Sequence, residues 1–388
     1  MRDPRLDKLA SVLVNYATQV KKGDVVGIQA DLIAMPMVEA IYEAALKAGG
    51  YPFYMPRSES LQELLVAHGT DEQISNPPVL MADYIERVDV SIGLWVEVNS
   101  RFLSRYDSRK AALLQQARRP FLKRFMEREA DESLRWCGTQ YPTHGSAQDA
   151  GMSLTQFEDF IFSAGLLHLP DPAAAWRDVE TRQQRVCDWL QQRKELRFFV
   201  PASDENDGTD LRVGVDGSTW INCCGQSNFP DGEVFAGPRG VDGHVNYNFP
   251  AVYQGHEVEG VRLAFKGGRV VDASAKRGED FLLRMLDQDE GARNLGEIAI
   301  GTNYGITQFM KNTLFDEKIG GTFHAAVGAG YPKSGNFNES GLHWDMVCDM
   351  RPRTLQSGTR LSGATIAADG QVFHKDGLFV FDGWPSPA

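Results

Sequence analysis

Residues 313–349, TLFDEKIGGTFHAAVGAGYPKSGNFNESGLHWDMVCD, crowd Asp316, Glu317, His324, Tyr331, His343 and Asp345 among glycines and asparagines. Carboxylate and imidazole are donors that bind Zn²⁺, Co²⁺ or Mn²⁺, and a His-X-Asp pair on a strand can aim both donors at one ion. Two more carboxylates stand in similar settings upstream. Glu233 enters an apolar run directly after Asp231-Gly232 in NFPDGEVFAGP, and Glu297 lies between Gly296 and Ile298 in DQDEGARNLGEIAIG. A buried carboxylate is costly unless a cation or full hydrogen bonding offsets it. Taken singly, a glutamate beside a glycine is ordinarily a surface turn residue, and a lone histidine a hydrogen-bonded structural one. Their conjunction in one half of the chain is what argues for a metal site. His144, His168, His244 and His256 stand apart and read as structural or surface residues.

The elements that must hold these residues change character along the chain. At 388 residues two domains are the natural division, and the texture shifts near residue 195. Residues 23–30, GDVVGIQA, suit a buried strand. Pro36 then opens a helix that ends at Gly49-Gly50, and YPFYMP resumes an extended run. Residues 88–95 read as another buried strand, with helices expected over 110–116 and 120–127. Ser153 followed by Gln156 resembles a capping box, and a further helix is expected over 176–194. Beyond it, LRVGV, GSTWINCC, EVFAG, GVRLAFKGGRVVDASA and GQVFHKDGLFVF carry strand patterning with turns at Asp216-Gly217, Gly267-Gly268 and Asp369-Gly370. The expected architecture is an α/β domain over residues 1–195. A mixed α+β domain rich in antiparallel strands follows over 196–388 and carries the site.

Composition narrows the function. A formal net charge of −12 leaves no basic stripe for nucleic acid. The run Arg118, Arg119, Lys123, Arg124 is offset by Glu127, Glu129, Asp131 and Glu132, as on a solvated helix face. No apolar run reaches membrane-spanning length. The first twenty residues read as an amphipathic helix burying Leu6, Leu9, Val12, Leu13 and Tyr16, not as a secretory signal. Five cysteines without a C-x-x-C make the cytoplasm the expected compartment. No G-x-G-x-x-G follows the first strand, which argues against a dinucleotide site.

Four segments, NFPDGEVF, DEGARNLGEIAIG, TLFDEKIGGTFHAAVGAGYP and ESGLHWDMVCD, together resemble the thermophilic aminopeptidase family of metallopeptidases, the aminopeptidase T type or peptidase family M29. YPTHGSAQDAGMSLTQFEDF and TDLRVGVDGSTW also look like family segments, so the likeness spans most of the chain. The resemblance implies two divalent ions per chain (Zn, Co, Mn or Mg) held by Glu233, Glu297, Glu317, His324, His343 and Asp345. It implies Glu297 as the bridging carboxylate and Tyr331 as the active-site tyrosine. The segment between Tyr331 and His343 is shorter than in some members, which bears on the pocket rim and not on the ligands. It further implies a homodimer acting on short peptides. In such a centre two ions about 3.5–4 Å apart share a water, lower its pKa and clamp the scissile carbonyl. Tyr331 suits a donor to the oxyanion. The proton carrier stays open between Glu297 and Glu317.

Two rival readings belong to other classes. His324, His343 and Asp345 alone would make the two-histidine, one-carboxylate site of a non-haem iron ring-opening dioxygenase. A non-catalytic peptide-binding module on the same scaffold is the other. Retention of Glu233 and Glu297 weighs against the first, and retention of Tyr331 beside every ligand against the second.

Overall fold

The structure, a computed structural model, describes residues 2–76, 79–99, 102–103 and 105–387. The chain divides into two compact units, Met1–Ala175 with Gly225–Phe229, and Trp176–Cys224 with Pro230–Ala388. The first is an α/β unit. Its sheet places β1 (Val25–Asp31) between β2 (Tyr51–Arg57) and β3 (Val90–Trp95), followed by β4 (Arg135–Gln140) and the short strand Asn228–Phe229. All of these pair in parallel. The helix Met35–Lys47 makes the β1-to-β2 crossover, with Pro36 in its first turn and Gly49 just past its end at φ +86°. Val26, Ile28 and Ala30 of β1 are fully buried, as parallel strands covered on both faces require. The first helix, Pro4–Ser11, is capped by Asp3 and runs on as a π-turn over Val12–Ala17, with Leu6, Leu9, Val12, Leu13 and Tyr16 all buried. The capping box at Ser153 and Gln156 opens the helix Leu154–Ala164.

One expectation fails in this unit. The two helices placed on either side of Pro120 are a single helix, Ser108–Ala130, with the proline inside it. Tertiary anchors outweigh the local penalty of proline. The Arg128 guanidinium donates to the carbonyls of Ile85 (2.6 Å) and Val88 (2.9 Å), and Arg124 pairs with Glu86 at 2.6 Å.

Among the described residues the second unit holds two large antiparallel sheets and two short two-stranded ones. The larger has eight strands, running from Arg269–Ser274 at one edge through Gly240–Asn246, Thr209–Gly214 and Glu195–Val200 to Gln371–Lys375 and Leu378–Phe379. The smaller, in spatial order, is β9 (His343–Asp349), β8 (Thr322–Gly328), β7 (Leu295–Gly301), β6 (Glu233–Ala236) and β5 (Ile221–Cys223). Both feed one hydrophobic core, in which the rings of Phe198 and Phe323 lie 4.5 Å apart. The helix Pro172–Leu190 contributes Val186, Cys187 and Leu190 to that core.

Candidate metal centre

The smaller sheet sorts its residues by the two-residue period of a strand. One face carries Ile298, Ile300, Phe323, Ala325, Val327, Trp344, Met346 and Cys348 into the core. The other face carries Glu297, His324, His343 and Asp345, and Glu233 joins them because it pairs with Gly301. Ala326 lies opposite both Glu297 and Asp345, and His324 lies opposite Ala299. Small residues at these positions leave a hollow between the long polar side chains. Gly296 serves the same arrangement. The register slips between Leu295 and Glu297, and a Cβ on Gly296 would come 2.2 Å from the Ala329 carbonyl oxygen. This bulge aims Glu297 at the hollow. Glu317 arrives from a short helix, Thr313–Asp316, whose start is capped by the Asn312 side chain.

The polar face is buried. Glu297 is 4% exposed, Glu233 6% and His324 1%. His324 Nε2 lies 3.2 Å from Glu297, 3.6 Å from Glu233 and 3.8 Å from Asp345. His343 Nε2 lies 3.6 Å from Asp345 and 3.7 Å from Glu297. Each imidazole turns its other nitrogen to a backbone carbonyl, His324 Nδ1 to Glu317 at 3.0 Å and His343 Nδ1 to Ala329 at 2.8 Å. A carbonyl only accepts, so Nδ1 carries hydrogen and both Nε2 atoms point inward, the tautomer a metal-ligating histidine needs.

Charge follows from this crowding. Burial opposes a proton on His324, but the hydrogen bond to Glu297 and the charges of Glu233 and Asp345 outweigh it and raise its pKa to about 10. His343 rises to about 10 in the same way, against burial, chiefly through Asp345. Burial would raise Asp345, yet the two histidines hold it well below the usual carboxylate range. Burial pushes the Glu233 carboxyl up. Its Oε2 is enclosed and has no hydrogen-bond partner.

That orphaned oxygen is the test of fit for a cation. Glu233, Glu297 and His324 offer ligand atoms within 4.8 Å of one another, as do Glu297, His343 and Asp345, and Glu317, His324 and Asp345. Glu297 belongs to two of these groups. The donor set fits divalent ions, and six carboxylate and imidazole groups drawn from Glu233 to Asp345 meet in one place.

Tyr331 stands beside them and is 40% exposed, its ring edge-on to His343 at 5.1 Å and 5.6 Å from Phe235. Burial and the neighbouring carboxylates raise its pKa, so the hydroxyl keeps its proton and remains a donor. Asp316 does not join the cluster. Its carboxylate accepts from the backbone nitrogens of Met310 (2.6 Å) and Asn312 (2.7 Å) and clamps that loop. Lys318, which the sequence reading passed over, is fully enclosed. Its ammonium contacts Glu317 and lies 3.3 Å from Glu233 and 3.8 Å from Asp231. Burial would strip its proton, but the three acids hold its pKa well above the ordinary value. A lysine opening the apolar run KIGGTFHAAVG was the available signal.

The profile of the thermophilic metalloprotease family (M29) matches residues 2–372. Aminopeptidase 2 of Geobacillus stearothermophilus is 28% identical over 354 residues, covering 85% of this chain and 84% of that protein. The solved AmpT of Thermus thermophilus superposes with a TM-score of 0.81 at 24% identity, over 97% of this chain and 99% of that one. A 2,5-dihydroxypyridine dioxygenase from Pseudomonas putida KT2440 superposes with a TM-score of 0.58 at 11% identity, over 97% of this chain and 98% of that one, a likeness of fold alone.

Proposed function

The chain belongs to the thermophilic metalloprotease family M29, and from that premise we propose the roles of its residues in a metal-dependent aminopeptidase. It is a metallo-aminopeptidase that uses divalent metal and acts on peptides. The finer reading is a pair of ions, one toward Glu233 and His324, the other toward His343 and Asp345, with Glu297 between them. The observation that carries it is the reach of Glu297 to both imidazoles, 3.2 Å to His324 and 3.7 Å to His343. When bound, such ions supply Lewis acidity, lowering the pKa of water and polarising the scissile carbonyl.

The remaining work falls to the protein. The carbonyls of Glu317 and Ala329 lock both histidines with Nε2 inward. Lys318 anchors one oxygen of Glu317, and the carboxylate that carries a proton to the departing amine is Glu297 or Glu317. The Tyr331 hydroxyl, kept protonated, donates to the oxyanion of the tetrahedral adduct. Because hydrolysis removes only the first residue, the carboxylates also face the free α-amine of the peptide. Short peptides, a homodimer and a cytoplasmic location complete the proposal, resting on the family likeness and on the acidic, cysteine-poor composition. Among the described residues no helix is long and apolar enough to cross a membrane.

An aminoacyl-anilide assay tests the reading, with chelator-stripped protein compared before and after divalent ions are restored. Restored hydrolysis is expected. Equal activity in stripped and reloaded protein overturns metal dependence. The dioxygenase alternative needs a single iron and no further carboxylates, whereas Glu233 and Glu297 stand within 3.6 Å of His324.

A further inference from the structure

In the first unit the parallel sheet leaves part of one face uncovered. Its strand order reverses between β1 and β3, and open α/β sheets take ligands at the carboxyl ends of strands beside such a reversal. Register puts Gly27 beside Ser91, Gln29 beside Gly93, and Gly93 beside Gly138, all on one face. Toward the amino ends, helices cover this face. A Cβ on Gly27 would strike the Tyr84 ring at 2.5 Å, and Phe125 meets Trp136 edge-on at 5.8 Å. Farther along the strands the cover stops. A Cβ on Gly93 would meet no atom within 4 Å, and the partly exposed Trp95 indole lies across Gly138.

Two guanidinium groups stand at this hollow. Arg57, at the end of β2, donates to the side-chain oxygen of Gln29. The Gln29 amide in turn reaches Ser91 at 3.4 Å, and Ser91 meets the Tyr84 hydroxyl at 2.8 Å. Gln29, Ser91 and Tyr84 are buried, so this chain of contacts holds Arg57 over the boundary between β1 and β3. Arg118 comes from the helix Ser108–Ala130, three residues before Phe121 and seven before Phe125, which pack against the cluster around Tyr84. Its guanidinium donates to Gln62 at 3.3 Å. Among the described residues neither arginine pairs with a carboxylate. Asp31, the acid in register with Arg57, accepts instead from the Ile33 nitrogen at 3.1 Å. Each arginine keeps exposed surface, yet the protein packed around it displaces enough water to lower its pKa, and Arg118 lowers that of Arg57 further by repulsion. Adjacent cations without an acid are costly unless an anion completes them.

We propose that this hollow is an anion site, in which Arg57 and Arg118 clamp a phosphate monoester whose flat ring rests on Trp95 above Gly93. Guanidinium forks match phosphate oxygens in pairs. A monoester carries about two negative charges at neutral pH and so balances both arginines, whereas a carboxylate leaves one cation over. The missing side chain at Gly93 gives the ring its room, and the Trp95 indole gives it a face to stack on. No residue of the metal cluster takes part, so the site stands apart from the aminopeptidase reading.

Titration calorimetry and tryptophan fluorescence test it with phenyl phosphate, inorganic phosphate, benzoate and phenol, on metal-loaded and on chelator-stripped protein. Phenyl phosphate is expected to saturate a site that persists after chelation, to change tryptophan emission, and to bind about tenfold more tightly than inorganic phosphate through stacking. Benzoate should bind at least about tenfold more weakly than phenyl phosphate, and phenol not at all. Arg57→Gln and Arg118→Gln are each expected to weaken phenyl phosphate by about tenfold or more. Gly93→Leu fills the hollow and should abolish binding at an unchanged unfolding midpoint. Gly93→Ala, the smaller change, should weaken binding where leucine disturbs the fold. Trp95→Leu should erase both the emission change and the preference over inorganic phosphate. Phenyl phosphate that fails to bind wild type, or that binds every variant within about twofold of wild type, overturns the site. So does binding no tighter than that of benzoate or phenol, and so does binding that vanishes when metal is removed, which would put the phosphate on the ions instead.

Discussion

His324 and His374 are the same residue type, equally enclosed at 1% and 0% exposure, and the protein moves their pKa values in opposite directions. His324 sits among carboxylates and its pKa rises to about 10. His374 lies in the strand Gln371–Lys375 of the large sheet, next to the edge strand Leu378–Phe379, and edge-on to Phe379 at 5.0 Å. Neither of its nitrogens finds a hydrogen-bond partner of good geometry. Burial lowers its pKa to about 3, with only a weak opposing approach from the Gly377 backbone. Burial alone therefore says nothing about function. What distinguishes the two regions is that the small sheet gathers acids around its imidazole and keeps them there at a cost.

The largest expected effect comes from breaking the acidic side of that comparison. Glu297→Gln should cut kcat/KM for an aminoacyl-anilide by about 10³-fold or more, since several kcal/mol of transition-state stabilisation depend on the centre. Its far-ultraviolet circular dichroism and unfolding midpoint should match wild type. Normal turnover with metal content intact would refute the assignment. Tyr331→Phe keeps the ring against His343 and removes only the hydroxyl. It should lower kcat by roughly 10²–10³ with little change in KM, and an unchanged kcat removes Tyr331 from the reaction.

How much of this was legible in the sequence depended on whether the signal was local. Pro36 and Gly49 marked the ends of a helix by backbone chemistry alone, and the period-two strands of the small sheet placed His343 and Asp345 on one face. Long-range facts were not legible. The arginines of the helix Ser108–Ala130 reach across to Glu86 and the carbonyls of Ile85 and Val88, and only that reach shows why Pro120 does not end it. Lys318 in DEKIGG and His374 in FHKDG were not singled out from the sequence. Each is enclosed by segments distant in sequence, which no local pattern records.

Those two residues sharpen the comparison further. Lys318→Met leaves Glu233 and Glu317 buried without their cation, and should cost the metal-stripped protein about 3 kcal/mol or more in denaturant unfolding. Added divalent ions should recover part of that loss. A midpoint equal to wild type without metal would mean the lysine balances nothing. His374 gives the smallest effect. Its folded pKa of about 3 lies below the ordinary 6.5, so the unfolded chain binds the extra proton between those values. Its contribution to stability is complete above pH 6.5 and is lost as pH falls toward 3, by at most about 1.4 kcal/mol per pH unit. His374→Phe should flatten that part of the acid limb, and a slope unchanged by the substitution would contradict the neutral, buried assignment.

Anomalous diffraction from zinc-loaded crystals tests the central claim most directly. The account predicts two peaks flanking Glu297, one within bonding reach of Glu233 and His324, the other of His343 and Asp345. A map with no peak beside Glu297, or with ions bound only elsewhere on the chain, would contradict it.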